Sequence, residues 1–174
     1  MLDTDTYDWS QFEVTFYYNA HITKVFKYWT QAIGLESFFV QRCIFTDVAG
    51  NIREEADLPM SGDTYEWQYR HGFNLQGQIL KVIDKEQFSF TFGEMQVDIY
   101  FRVLDTKTEV HLVQSGIPDN SAGRVMGHLN CRSCWVFFLT NLSSVLSNRK
   151  DLRDDNPDLV SSMEVGFIPL IQIN

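Results

Sequence analysis

Apolar and polar residues alternate along much of the first two thirds of the chain. Phe12, Val14, Phe16 and Tyr18 occupy every second position, which predicts a strand with one buried face. The same period of two returns in six later stretches, which read QRCIFTDV, TYEWQYR, FNLQGQILKVID, QFSFTFG, QVDIYFRVL and TEVHLVQS. Most of the connections are short, so antiparallel hairpins are expected. The pattern predicts a curved antiparallel sheet of six to seven strands with one apolar face.

Two short helices are predicted directly after the first strand. Asn19 can cap a helix in AHITKVFKYWT, in which Ile22, Val25 and Trp29 recur at helical spacing. Gly34 interrupts the pattern, and LESFFV predicts a second short helix. Further along, Gly77 within the longest strand pattern predicts a bend or a bulge.

One long helix, from about residue 121 to residue 147, is predicted to cover the apolar face of the sheet. At about 100° per residue, its inward stripe holds large apolar side chains in the second half. These are Trp135, Leu139, Leu142 and Leu146. In the first half the same stripe passes through Arg124, His128 and Cys131. A cavity that opens toward the start of the helix would explain this change, and so would polar side chains that overhang the rim into water.

The outer face of this helix also carries apolar groups, since Met126 and Phe137 lie opposite the stripe. They predict a contact with the C-terminal stretch VGFIPLIQIN or with a second copy of the chain. We expect residues 1–150 to form a single domain and residues 151–174 to form a tail. The tail either packs along the domain as an added edge or reaches a partner subunit, so a homodimer is possible.

Composition and charge narrow the range of partners. The formal net charge of −9 argues against nucleic acid and anionic membrane surfaces. No apolar run approaches the roughly 18 residues of a membrane span, and the N-terminus lacks the pattern of a signal peptide. Three cysteines without a secreted pattern fit a cytoplasmic protein. Aromatic residues make up 14% of the chain, enough to fill a large core or to line an apolar pocket.

Motifs for catalysis, metals or cofactors are lacking. Cys131 and Cys134 form a C-x-x-C motif behind His128, but these side chains spread over too wide an arc of a helix to meet at one metal ion. We therefore expect no metal site, no cofactor and no assigned catalytic residue. Catalysis in a cavity stays open, and its candidate groups are His128, Tyr65, Tyr69 and Arg124.

Three stretches resemble a known family. NAHITKVFKYWTQAIGLESFF is similar to the family's opening pair of helices. GDTYEWQYR together with GQILKVIDKEQFSFTF resembles its Gly-x-x-Tyr-x-Trp strand and the Phe-rich strand that follows. CWVFFLTNLSSVLSNRKDLR is similar to its terminal helix. The family is that of the homologues of the activator of heat-shock-protein-90 ATPase, within the START-like (SRPBCC) superfamily. The resemblance covers most of residues 12–153 and implies an α+β helix-grip fold, a curved sheet wrapped around a C-terminal helix.

Two functions are compatible with this reading. The first is binding of a small apolar molecule between the sheet and the first half of the long helix, with His128 as the polar contact. The expected ligand-binding residues are Tyr65, Trp67, Tyr69, Phe90, Ile99, Phe101, Arg124, His128 and Trp135. The second, which the resemblance implies, is interaction with a chaperone partner in a stress response. A cavity enzyme of the cyclase or aromatase type is a further alternative.

Overall fold

The computed structural model describes residues 6–70, 72–156 and 158–166. Its centre is a seven-stranded antiparallel sheet with the strand order β1-β7-β6-β5-β4-β3-β2. The strands are β1 (Phe12–Tyr18), β2 (Arg42–Thr46), β3 (Thr64–Gln68), β4 (Asn74–Ile83), β5 (Gln87–Phe92), β6 (Met95–Leu104) and β7 (Lys107–Ser115). Every predicted strand is present, and the predicted α+β helix-grip fold is confirmed.

The two predicted short helices follow β1 as α1 (Ile22–Thr30) and α2 (Ala32–Glu36). The cap of α1 is His21 rather than Asn19, because the imidazole Nδ1 accepts a hydrogen bond from the backbone N–H of Thr23 at 3.3 Å. Helix α2 lies earlier than LESFFV suggested. The aromatic pair of that stretch therefore follows the helix and packs in the core.

The long C-terminal helix is helical from residue 121, as predicted, but its first part is not an α-helix. Gly123–Asn130 form a π-helix, which continues directly into α3 (Cys131–Leu146). We refer to the two segments together as the C-terminal helix. The predicted inward stripe of α3 is confirmed, since all four of its residues are buried. Those residues are Trp135, Leu139, Leu142 and Leu146.

The π-helical segment changes which side chains face inward. Its i→i+5 hydrogen bonds widen the turn, so each residue rotates by less than the 100° assumed for an α-helix. A projection that runs back from Trp135 is therefore out of phase by the time it reaches the first half of the helix. Met126, assigned to the outer face, is half-buried instead, and Arg124, assigned to the inward stripe, is exposed.

Gly77 allows a neighbouring ring to pack closely against the strand, and it does not form the predicted bend or bulge. It pairs in regular register with Tyr65, and the irregularity in β4 lies between Ile79 and Lys81. A Cβ atom on Gly77 would come within 2.6 Å of the Tyr65 ring and 2.5 Å of Thr91 Oγ1. The missing side chain makes room for a buried aromatic ring.

After the C-terminal helix, the chain returns across it through a short helix, α4 (Ser162–Val165). Arg153 fixes this return. Its guanidinium donates to the carbonyl oxygens of Val40 at 2.9 Å and Glu36 at 2.7 Å, and it pairs with Asp151. Of the apolar stretch VGFIPLIQIN, only Val165 and Gly166 belong to the described residues, so the predicted contact of the remainder lies outside them. In the described part of the chain no helix has the length and apolar character needed to cross a membrane.

Candidate functional site

A cavity of about 260 Å³ lies beside the first half of the C-terminal helix. The helix forms one side, and the turn between β5 and β6 forms another. The loop between β3 and β4, the segment after α2 and the short helix α4 complete the wall. The lining residues are Phe39, Tyr69, Phe73, Phe92, Met95, Met126, Gly127, Asn130, Cys131, Cys134, Trp135, Phe138, Glu164 and Val165.

Packed aromatic rings shape the base of the cavity. The ring of Phe39 stacks on Trp135 with centroids 5.0 Å apart and meets Phe138 edge-on at 4.8 Å. Phe92 approaches Trp135 from the β5–β6 turn at 5.6 Å, and Tyr69 meets Phe39 at 5.5 Å. Because each ring contacts at least one other, this side of the wall is held in place before any ligand arrives.

A buried glutamine ties the wall to the sheet. Gln114, at the end of β7, accepts a hydrogen bond from Trp135 Nε1 at 2.8 Å. Its amide nitrogen donates to the carbonyl oxygen of Gly127 at 3.2 Å, within the π-helical segment. One fully buried side chain therefore orients the Trp135 indole and holds the first half of the helix.

The sulfur and hydroxyl groups of the wall are uncharged at neutral pH. Burial raises the pKa of the Cys134 thiol to about 11 and also raises the pKa of Cys131. Burial likewise raises the pKa of Tyr69 well above its ordinary value. Since the thiolate is the form that attacks electrophiles and binds metals, these cysteines behave as small apolar groups. Among the described residues no cluster of three or more His, Cys, Asp or Glu side chains suits a metal ion.

The structure brings two of the expected ligand-binding residues, Tyr69 and Trp135, to the cavity wall. Five others are buried in the core between the sheet and the helices. They are Tyr65, Trp67, Phe90, Ile99 and Phe101. Helix α1 and the segment after α2 account for this placement, because Phe26 packs on Phe101 at 5.1 Å and Phe39 packs on Trp67 at 5.2 Å. The concave face is thus filled at its centre, and the cavity lies at one end of it.

His128 and Arg124 face the N-terminal segment that precedes β1, residues 6–11, instead of the cavity. His128 is 1% exposed, and its Nε2 lies 2.9 Å from the Tyr7 hydroxyl while its Nδ1 lies 3.2 Å from the carbonyl oxygen of Trp9. Arg124 lies over the Trp9 ring at 5.4 Å and pairs with Asp119. These contacts give both side chains a structural role in holding the N-terminal segment against the helix.

Several wall residues were not anticipated from the sequence, namely Phe39, Phe92, Met95, Met126 and Val165. Phe92 and Met95 flank a tight turn, and a pair of large apolar residues beside a turn is a signal that could have been read. Met126 could not be found by helical projection, because the π-helical segment shifts the phase. Val165 lies in α4, and no periodic pattern in the sequence reveals how this short helix packs.

Comparisons with known proteins agree with this fold. Residues 19–147 match the family model described as "Activator of Hsp90 ATPase homolog 1-like protein". No match was found among curated protein sequences.

Solved structures with the same fold include three that match most of this chain. A protein from Staphylococcus saprophyticus is 18% identical, with a TM-score of 0.66 over 82% of this chain and 96% of that one. The Aha1 dimer from Colwellia psychrerythraea is 16% identical, with a TM-score of 0.62 over 78% and 95%. DynU16, from the dynemicin biosynthetic locus, is 15% identical, with a TM-score of 0.65 over 84% and 50%.

At these identities the structural neighbours establish the fold alone, whereas the family model covers well over half of the chain. The chain belongs to the family of Activator of Hsp90 ATPase homolog 1-like proteins.

Proposed function

We propose that the protein binds a small apolar molecule in the cavity beside the first half of the C-terminal helix. The observation that supports this proposal is the 260 Å³ space itself, with a wall formed mainly by aromatic rings and methionine side chains. Ligand pockets are typically concave, largely apolar and preformed, with volumes of roughly 300–1,000 Å³. A cavity just below this range limits the ligand to a small molecule.

The chemistry of the wall favours binding over reaction. The raised pKa values of Cys131 and Cys134 keep both thiols protonated at neutral pH, so neither is an activated nucleophile. His128 makes its hydrogen bonds away from the cavity. Burial of apolar surface against Trp135 and Phe138 would supply most of the affinity.

Isothermal titration calorimetry with naphthalene, a rigid apolar probe, tests the proposal. Wild-type protein should bind one naphthalene saturably. Cys134→Phe places a ring in the cavity and should weaken binding by at least about tenfold, the factor that 1.4 kcal/mol represents. Val136→Phe is the matched control, because Val136 lies on the same helix, is 41% exposed and does not line the cavity.

The two variants separate the outcomes. If Cys134→Phe binds naphthalene as the wild type does, while circular dichroism shows both proteins folded, the cavity is not the binding site. Absence of any saturable binding to wild-type protein at the solubility limit of the probe would also count against the proposal.

A second candidate function is interaction with a protein partner. Val125, Leu129 and Val136 are each more than 40% exposed and lie along the outer side of the C-terminal helix. Exposed apolar side chains in a row are typical of contact surfaces. The family is named for a chaperone activator, and one structural neighbour was solved as a dimer. A second copy of this chain, or a chaperone of the heat-shock-protein-90 type in the cytoplasm, would therefore be the partner.

Leu129→Lys tests this second candidate, since a charge in the middle of the row should disrupt an apolar contact. Analytical ultracentrifugation reports self-association, and the ATPase rate of a purified chaperone reports activation. If wild-type protein is monomeric and leaves the ATPase rate unchanged at high concentration, the second candidate fails. An effect that Leu129→Lys does not reduce would exclude this surface.

A further inference from the structure

Glu164 is the charged residue on the cavity wall, among the residues that the structure describes. It lies in α4, and its side chain is only 6% exposed. A carboxylate that is removed from water loses hydration, and this cost must be offset by hydrogen bonds or by a paired charge. The partners of Glu164 therefore bear on what the cavity accepts.

The contacts that the described residues make with the Glu164 carboxylate are long. Arg70 Nη1 lies 3.7 Å from Oε2, and the backbone nitrogen and Oγ of Ser161 lie 3.4 and 3.5 Å from Oε1. Hydrogen bonds to carboxylates ordinarily measure about 2.7–2.9 Å when the donor is a charged nitrogen. The carboxylate thus has capacity for a shorter and stronger hydrogen bond.

Asp63 shows how this chain satisfies a buried carboxylate elsewhere. Its side chain is 2% exposed, and it receives hydrogen bonds from Arg53 Nε at 2.5 Å, from the Met60 backbone nitrogen at 2.7 Å and from Arg53 Nη2 at 3.1 Å. Both carboxylates are buried and both have an arginine nearby. They differ in that Asp63 receives shorter hydrogen bonds, whereas the contacts of Glu164 with the described residues are long and Glu164 borders the cavity.

The arginine beside Glu164 is directed away from the cavity. Arg70 does not line the space, and its Nη2 donates to the carbonyl oxygen of Asn156 at 2.8 Å. Its charge partly balances that of Glu164, so the ligand need not carry a positive charge. No lysine or arginine lies on the described part of the wall, so an anionic ligand would lie beside the Glu164 carboxylate and find no cation on the wall to pair with.

We propose that the cavity selects an uncharged apolar molecule that carries one hydroxyl or N–H donor, which binds the Glu164 carboxylate, and that it rejects carboxylates. This inference rests on the proposed function, because it assigns the ligand class of the same cavity. The aromatic wall takes the apolar body of the ligand, and Glu164 orients its polar end.

Three probes of the same ring system test the selection by calorimetry: naphthalene, β-naphthol and β-naphthoate. An apolar wall without an acceptor would favour naphthalene, because burial of an unpartnered hydroxyl group costs free energy. With Glu164 as acceptor, β-naphthol should bind about tenfold more tightly than naphthalene. β-Naphthoate should bind more weakly than both.

Glu164→Gln keeps the size of the side chain and removes its charge. The advantage of β-naphthol over naphthalene should fall by at least about threefold, since hydrogen bonds to ionised acceptors are roughly twice as strong as neutral ones. β-Naphthoate should gain affinity, and naphthalene should bind unchanged, which shows that the cavity is intact. Glu54→Gln, at an exposed loop position, is the control and should leave all three affinities unchanged.

The probe series separates the two proposals. If naphthalene does not bind, the proposed function itself fails. If naphthalene binds and is lost in Cys134→Phe, but β-naphthol has no advantage, the inference about the ligand class fails alone. It also fails if β-naphthoate binds most tightly, or if the advantage of β-naphthol survives in Glu164→Gln. The wild-type series decides the matter even if a variant does not fold.

Discussion

Buried polar residues carry much of the information about this site. Gln114 occupies a position that the alternation of β7 assigns to the buried face, after Val110 and Leu112. A glutamine in an apolar phase of a strand is a signal for a specific buried hydrogen bond, and it was available in the sequence. Its partners, Trp135 and Gly127, were not, because they lie on an element whose register depends on the π-helical segment.

We expect Gln114→Leu to lower the free energy of unfolding by about 1–3 kcal/mol. Leucine is similar in size but leaves the Trp135 N–H and the Gly127 carbonyl oxygen buried without this partner. Urea denaturation measures the change. Gln78→Leu, at an exposed position of β4, is the control. A stability of Gln114→Leu equal to that of the wild type would contradict the assigned role.

Asp151 provides a prediction for the pH dependence of stability. Burial acts to raise the pKa of this carboxyl, but hydrogen bonds from Arg153 and Asn141 outweigh it and lower the pKa below its ordinary value of 3.8. The ionised form is therefore favoured in the folded state. Its contribution is complete above the ordinary value and disappears as the pH falls through the lower, folded value.

Asp151→Asn should accordingly destabilise the protein at neutral pH, and its effect should shrink as the pH falls below the ordinary value of 3.8 and the wild-type carboxyl takes up its proton in the folded state. Urea denaturation of both proteins across this range gives the difference. A difference that is the same at both ends of the range would show that the charge of Asp151 does not contribute.

At the scale of elements, the sequence predicted the strands and the long helix because each shows a regular period. Features that interrupt a regular period could not be predicted in this way. The π-helical segment (Gly123–Asn130) preserves an apolar pattern but changes its phase, so Met126 turns toward the cavity and Arg124 toward the N-terminal segment. Gly77 illustrates a second limit, since a glycine in a strand pattern does not reveal which ring approaches it.

We expect Gly77→Ala to lower the free energy of unfolding by about 1–3 kcal/mol, the usual cost of overpacking. The new methyl group would lie 2.6 Å from the ring of Tyr65. This side chain is 2% exposed, and its hydroxyl donates a hydrogen bond to the Thr91 carbonyl oxygen, so the ring cannot move away freely. Gln76→Ala, on the same strand but exposed, controls for strand propensity. Equal stabilities of the two variants in thermal denaturation would contradict the packing argument.

At the scale of the whole molecule, the order of strands and helices was enough to predict the fold, but not the position of the cavity. The sequence placed the ligand at the centre of the concave face. Phe26 of α1 and Phe39, which follows α2, fill that centre, and the cavity lies at one end, beside α4. This position of the cavity depends on how side chains from the sheet, the short helices and the C-terminal helix fit together. No single periodic pattern in the sequence encodes that fit.

The residues that follow the C-terminal helix also bear on how the chain is divided into a domain and a tail. We propose that residues 1–150 form one domain and that residues 151–174 are a tail added to it. Within the described residues, the buried side chains of Arg153 and Val165 support a tail that packs on the domain. Because Val165 and Glu164 line the cavity, the tail would take part in ligand binding.

The central claim is that a small apolar molecule occupies the space between the C-terminal helix, the β5–β6 turn and α4. Methyl NMR of methionine-labelled protein during a naphthalene titration tests it most directly. Met95 and Met126 line the cavity, whereas Met60 and Met163 are more than half exposed and do not. The account predicts saturable shifts of the Met95 and Met126 methyl signals with Met60 unchanged. Shifts confined to Met60 or Met163, or no shift of the two cavity signals, would contradict it.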